Sequence, residues 1–378
     1  MKKLSFVDVG FLLAESREMP MHVGGVSLYT LPPGANEHDF LHNLADNIRD
    51  ADQLLSPFGD RLKLGRLGLA GSAYWEPDPS LDMDYHIRHS ALPKPGRYRE
   101  LFTLVSRLHG TLLDRNRPLW EMHIIEGLPK RQFALYTKTH HAAVDGARSI
   151  HLARSMLSPD PNSRLEESPL SLHSWEKYRD SLTLGKKPEF TDEEVHNVAD
   201  RLKASFDSSA NVFQALRGLT RALTGRDRYL RLPHMQVPAS SINTSVDSAR
   251  RFVAQSWPFE RFHAVAKAFD GTFNDAVLAT CSGALRKYLQ VHAELPERSL
   301  KAMVPVSIRQ EGDIDSSNAV AAISADLATN ITDPVERIRV IQASVHAGRD
   351  FYKGMSQSEI QLFALAMQAP SLLLMPLG

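Results

Sequence analysis

The sequence predicts an α/β protein of two domains, and three observations carry this. The chain has 378 residues, enough for two hydrophobic cores. Short apolar or β-branched runs alternate with longer stretches of helical period. Between the halves, residues 158–194 are rich in Ser, Pro, Lys and Glu and poor in periodic apolar residues, as in a partly mobile linker. The expected bounds are 1–157 for the first domain, 158–240 for a crossover segment with a helix, and 241–378 for the second domain.

Residues 4–15 read as a short helix that Ser5 or Asp8 would cap, with Phe11, Leu12 and Leu13 making apolar contacts. His22 to Leu31 reads as a strand, with His22 a core or strand-end histidine. Residues 39–55 carry Phe40, Leu41, Leu44, Ile48 and Leu54 on one helical side. Residues 81–92 read as a strand pair or a strand and loop, with His86 and His89 facing solvent or the sheet. Residues 98–113 form an amphipathic helix through Leu101, Leu104, Val105, Leu108 and Leu112. Arg117-Pro118-Leu119-Trp120 turns into the strand 121–125, and Gly127-Leu128-Pro129 turns into the strand 133–139. The helix 147–157 follows, with Ile150, Ala153, Met156 and Leu157 on one face. A helix over 192–223, broken near Asp207-Ser208-Ser209, fills the crossover segment. The second half reads as a strand at 250–257, helices at 259–269 and 276–289, a buried strand at 303–308, a strand at 319–329 and a helix from Asp333-Pro334 to about Tyr352.

Composition excludes several functions. With 44 basic and 44 acidic residues the net charge is zero, and no aromatic–basic alternation marks a nucleic-acid binder. The single Cys281 excludes an internal disulfide and fits a reducing compartment such as the cytoplasm. It lies in an apolar run and reads as a buried, inert thiol. Asp8 and Glu15 come too early after two lysines for a signal peptide. The uncharged run 360–378 is interrupted by Gln361, Gln368, Pro370 and Pro376, so it reads as a buried or membrane-surface segment. Its apolar end, with nothing to cover it, reads as a place where a longer chain continues. Arg217, Arg221, Arg226, Arg228 and Arg231 read as a solvated face, or more sharply as a contact for CoA phosphate or anionic lipid. No Walker loop, G-x-G-x-x-G loop or G-x-S-x-G elbow is present, which removes the nucleotide-loop and serine-hydrolase readings.

The chemistry centres on Thr137-Lys138-Thr139-His140-His141-Ala142-Ala143-Val144-Asp145-Gly146. It reads H-H-x-x-x-D-G where a strand gives way to a helix. Adjacent side chains on a strand point to opposite faces, and on a helix they diverge by about 100°. His140 and His141 therefore divide the work, one facing a cavity and the other packing or hydrogen-bonding. The same divergence argues against a metal site, since no Cys or Glu cluster joins one histidine and Asp145 as a third ligand. A histidine at a cavity suits proton transfer. The alternative is a satisfied histidine pair buried in a turn. Asp145 invites a triad with a histidine. Asp-Gly is also a tight-turn pair, and an Asp ahead of a helix caps it, so the structural role is preferred. Asn274 or Asp275 likewise stands where the helix 276–289 needs a cap.

This string resembles the motif of the CoA-dependent acyltransferase superfamily, shared with peptide-synthetase condensation domains. Five further stretches narrow the resemblance to the bacterial wax ester synthase/diacylglycerol acyltransferase family. They are Pro20-Met21-His22-Val23-Gly24-Gly25, Tyr85-His86-Ile87-Arg88-His89, Arg117-Pro118-Leu119-Trp120-Glu121, Phe273-Asn274-Asp275 and Pro305-Val306-Ser307-Ile308-Arg309. The match runs in order from residue 4 to the end, and that family's chains continue with further strands of the second domain. The resemblance implies two α/β sandwiches of the chloramphenicol acetyltransferase kind, mixed sheets flanked by helices around a central channel. It implies transfer of a fatty acyl group from acyl-CoA to a fatty alcohol or diacylglycerol, with no cofactor besides the acyl-CoA substrate. The setting would be the cytoplasm or the surface of the inner membrane or a lipid droplet, and a homodimer is compatible.

His141 would then be the general base near the middle of the channel, with His140 orienting or packing. Asn274 would lie near the active site as an oxyanion donor or leave that task to backbone N–H groups. Asp275 would cap its helix, and Gly146 would complete the motif turn. Asp145 would point away from the site and pair with Arg309 of the other half. Breaking such a buried pair from one side costs about 3–5 kcal/mol. Two rivals remain: a condensation-type enzyme with carrier-bound substrates, and a non-catalytic lipid-binding protein.

Overall fold

The computed structural model describes residues 2–352 apart from 5, 66–67, 145, 161, 165–166, 183–237 and 308–319. In chain order the first compact unit contains β1 (Lys2–Lys3), α1 (Phe6–Ala14), β2 (His22–Thr30), α2 (Glu37–Arg49), β3 (Asp60–Gly65), β4 (Gly68–Pro77) and α3 (Met83–His86). It continues with β5 (Ile87–Ala91), α4 (Tyr98–His109), β6 (Trp120–Glu126), β7 (Gln132–His140), α5 (Gly146–Ser155) and α6 (Leu172–Ser181). Residues 246–254 also belong to this unit. The second unit contains α7 (Phe259–Ala268), α8 (Phe273–Val291), β8 (Lys301–Ser307), β9 (Val320–Asp326) and α9 (Pro334–Tyr352).

A four-stranded mixed sheet in the order β2-β7-β6-β5 positions the motif. β7 lies antiparallel to β2 and β6, so that His22 stands opposite His140 and Glu121 opposite Lys138. Directly opposed residues share a face. One face carries Trp120, Met122, Ile124 and Phe133, which pack with Leu41, Ala45 and Ile48 of α2 in the main core. The other face carries His22, Gly24, Glu121, His123, Tyr136, Lys138 and His140, and α4 covers it through Leu101 and Val105.

That second face is unusually polar for a buried layer, and its charges are matched. Lys138 is 1% exposed, and its Nζ donates to the Leu108 and Thr111 carbonyls at 3.0 Å each and lies 3.3 Å from the Glu121 carboxylate. Two helix-end carbonyls and one carboxylate satisfy the ammonium and tie the end of α4 to the sheet. Burial holds the Lys138 ammonium below its ordinary pKa, although Glu121 opposes the shift.

Gly24 makes room for this layer. A Cβ there would lie 2.9 Å from both His109 Nδ1 and the Tyr136 ring and hydroxyl. Those two groups bond to each other at 3.0 Å. Gly24→Ala is therefore expected to lower the melting temperature by the equivalent of about 1–3 kcal/mol. An unchanged melting curve would show that the layer yields freely.

The smaller unit rests on the β8–β9 pair, with Val304, Ile323 and Ala325 against Ile341 and Val345 of α9. Gly348 allows that close packing, since a Cβ there would sit 2.9 Å from the Ile323 Cβ.

Several expectations are corrected. The helix expected over 39–55 stops at Arg49, where the Asp50 amide bonds the Asp46 carbonyl, and Leu54 instead forms a bridge with Ser171. Residues 172–181 are a helix rather than linker, because Ser171 caps them and Leu170 and Trp175 reach the main core. Residues 81–92 form α3 followed by β5. Residues 250–257 make no strand ladder. On α5 Leu152 is buried, while Ile150 is 55% exposed. Leu157 and Leu13 are also exposed. β8 alternates, with Val304 in and Met303 out, rather than being wholly buried. Cys281 is exposed because α8 buries the next residue, Ser282, and a helix turns about 100° per residue. The helix 192–223 with its basic set, and the apolar run 360–378, lie outside the described residues.

Candidate active site

β7 ends at His140, and its amide still donates to the Leu119 carbonyl at 2.9 Å. The chain then turns: the Ala143 amide bonds back to the His140 carbonyl at 2.9 Å, and α5 begins at Gly146. This reversal separates the two histidines, as adjacent positions on a strand end require.

The His140 side chain is fully buried. Its Nδ1 accepts the Ala142 amide proton at 3.0 Å, so the ring proton sits on Nε2. Nε2 faces Glu15 Oε1 at 3.4 Å, a longer contact than a well-aligned hydrogen bond. Glu15 in turn accepts from Arg115 Nη2 at 3.0 Å and from the Met21 amide at 3.2 Å. Arg115 also donates to the Leu12 carbonyl at 2.6 Å, which ties it to α1. Burial alone would raise the Glu15 pKa, but the His140 ring, the Met21 amide and Arg115 together lower it to about 2. The carboxylate is therefore charged at neutral pH and fixes the His140 ring.

His141 is held differently. Its amide donates to the Met21 carbonyl at 2.8 Å. Its half-buried ring stacks on Phe11, with centroids 4.1 Å apart and planes 20° from parallel. Met21 thus links the two: its N–H goes to Glu15 and its C=O receives His141.

His22 completes the buried row. Its Nε2 donates to the His109 carbonyl at 2.8 Å, and burial is the main cause that lowers its pKa to about 4. A histidine kept neutral in this way stabilises the fold fully above its unfolded pKa near 6.5, and that contribution is lost as pH falls from there toward 4. Melting temperature is accordingly expected to fall through this window, and less steeply in His22→Gln, which can keep the carbonyl bond. Equal slopes in wild type and variant would contradict the assignment.

The cap expected at Asn274 or Asp275 is corrected, because the helix begins three residues earlier. Thr272 is the N-cap residue of α8, and Asp275 closes a capping box by accepting from the Thr272 amide at 2.7 Å and hydroxyl at 2.8 Å. Asn274 caps nothing, and its Nδ2 has no hydrogen-bond partner among the described residues. Asp145 and Arg309 lie outside the described residues. Sequence reasoning missed Glu15, Arg115 and Phe11 as supports of the motif. Glu15 carries no local signature, and its role appears only when α1 is folded against the motif turn.

The model of the wax ester synthase/diacylglycerol acyltransferase catalytic domain matches residues 4–277. The chain belongs to this family. An O-acyltransferase WSD of Acinetobacter baylyi is 37% identical over 98% of this chain and 77% of its own length. The solved wax ester synthase/diacylglycerol acyltransferase of Marinobacter aquaeolei VT8 is 35% identical, covers 98% of this chain and 77% of its own, and superposes with a TM-score of 0.70. The first condensation domain of the CDA synthetase covers 92% of this chain and 75% of its own at a TM-score of 0.52 and 14% identity, a likeness of fold alone. This wax ester synthase/diacylglycerol acyltransferase family member is thus an acyltransferase with the mixed α/β fold of the CoA-dependent acyltransferases.

Proposed function

We propose that the chain moves a fatty acyl group from acyl-CoA to the hydroxyl of a long-chain alcohol or a diacylglycerol, with His141 as general base. The observation that carries this is the division between the two motif histidines. His140 is sealed, with both ring nitrogens directed at protein groups, so it has no path to a substrate. His141 keeps a half-buried ring on a fixed aromatic support.

In this reading a His141 ring nitrogen takes the hydroxyl proton as the oxygen attacks the thioester carbonyl. The tetrahedral intermediate collapses, the carbon–sulfur bond breaks, and the CoA thiolate recovers the proton from the imidazolium. No acyl-enzyme is needed, because a thioester is already activated. The oxyanion of that intermediate needs hydrogen-bond donors as its charge develops. Among the described residues no helix is long and apolar enough to cross a membrane. Long-chain alcohols and diacylglycerols reside in membranes and droplets, so the acceptor is met at such a surface. The test is turnover with palmitoyl-CoA against hexadecanol and against a diacylglycerol. Ester formation with either supports the proposal. Turnover only with a phosphopantetheine carrier protein would favour the condensation-type reading.

A further inference from the structure

A cavity of about 850 Å³ runs along the outer face of α4. One side is α4 and the residues just after it, from Arg99 to Thr111, and the other is the extended segment 248–253. Both belong to the same compact unit. The wall is fastened: the Phe252 amide donates to Ser106 Oγ at 2.7 Å, and the Phe252 ring meets Phe102 edge-on at 5.4 Å. Arg250 Nη2 donates to the Glu18 carbonyl at 2.7 Å.

Arg99, Arg107, Arg250 and Arg251 all line this cavity, and no acidic residue does. Elsewhere in the unit Arg49, Arg61, Arg88, Arg97, Arg115 and Arg117 each face a carboxylate. Among the described residues none of the four cavity arginines does, and the guanidinium groups of Arg250 and Arg251 donate to backbone carbonyls. Like charges gathered without counter-charge repel one another, and an anion relieves that repulsion. The planar guanidinium is the side chain best matched to phosphate. Phe102, Phe252 and Val253 add an apolar wall on which a flat base can rest. Burial, helped by Lys138 and Arg250, keeps the nearby His109 below its usual pKa, which agrees with a positive local field.

The groove also ends beside the residues that support the motif. It follows α4 from Arg99 to the helix end at His109, about 15 Å at 1.5 Å per residue. Its Gly110–Thr111 end adjoins the histidine row, where Lys138 bonds the Thr111 carbonyl and His22, opposite His140 in the sheet, bonds the His109 carbonyl. Arg250 bonds Glu18, which lies between Glu15 and Met21 of the motif support.

We propose that this groove binds the phosphate-bearing nucleotide end of the acyl-CoA donor, with Arg99, Arg107, Arg250 and Arg251 as its phosphate partners. The proposal rests on acyl-CoA being the donor. An anionic lipid headgroup shares the phosphate chemistry, but a recess of this volume with an aromatic wall suits a discrete, base-bearing molecule.

The test titrates CoA, without acceptor, into the full chain and into the double variant Arg107→Glu/Arg251→Glu. Affinity should fall about tenfold or more in the variant. An Arg107→Lys/Arg251→Lys control and matching melting curves would show that the fold is kept. In turnover the variant should raise KM for palmitoyl-CoA by a similar factor while kcat stays within about twofold, and it should use palmitoyl-pantetheine, which lacks the nucleotide, as wild type does. A folded variant that binds CoA like wild type overturns the proposal. So does one that loses binding to phosphatidylglycerol vesicles while its CoA affinity is unchanged. Normal CoA binding by wild type with no ester formed would defeat the proposed reaction and leave the groove standing, so the two failures are distinguishable.

Discussion

His141→Ala should lower ester formation about 10²–10⁴-fold, the usual contribution of a positioned general base. The fold should survive, because what is removed is a half-buried ring stacked on Phe11. Losing such a contact costs about 0.5–1.5 kcal/mol. His140→Ala should show the opposite balance. It empties a fully buried site and leaves the Glu15 carboxylate and the Ala142 amide without their ring partner. Its melting temperature should drop more than that of His141→Ala, and its rate less. A His141→Ala protein that keeps more than half of wild-type turnover would remove His141 from the role of base.

Glu15→Ala should be among the most damaging changes away from the motif itself. The Glu15 side chain is 2% exposed, and its loss strips an acceptor from Arg115, the Met21 amide and the His140 ring together. Breaking a buried ion pair from one side costs about 3–5 kcal/mol, and the 36% exposure of Arg115 reduces this to roughly 2–4 kcal/mol. Because Met21 also receives the His141 amide, kcat should fall with little change in KM for either substrate. Glu15 is a positioning residue in this account. Its pH signature has a definite sign: the carboxyl is lowered from 4.5 to about 2 in the fold, so its stabilisation is complete above about 4.5 and is lost as pH falls toward 2. Glu15→Gln should remove that part of the acid dependence. A Glu15→Ala protein with wild-type melting temperature and kcat would show that the motif turn stands without it.

Local pattern made much of this legible. The β7 strand, its break at the histidines, and the amphipathic α4 followed from side-chain period, and the H-H-x-x-x-D-G string located the site. What stayed hidden depended on distant partners. Nothing local marks Glu15, since its meaning comes from Arg115, 100 residues away. Helix α6 was hidden by its polar composition, because Trp175 is its one fully buried side chain, with Leu172 and Tyr178 packed against the core beside it. The β3–β4 hairpin went unread because Gly65, Gly68 and Gly71 interrupt its alternation. Thr272 was passed over as a cap in favour of its neighbours, although its hydroxyl and the Asp275 carboxylate form the reciprocal pair that a helix start needs.

The central claim is direct attack by the acceptor hydroxyl, with His141 taking its proton. Release of CoA from palmitoyl-CoA, followed with and without hexadecanol or a diacylglycerol at enzyme concentrations near that of the donor, tests it most directly. The account predicts that free CoA appears only with an acceptor, in amounts equal to the ester formed, and that His141→Ala yields neither. A burst of CoA equal to the enzyme in the absence of acceptor would reveal an acyl-enzyme and contradict it.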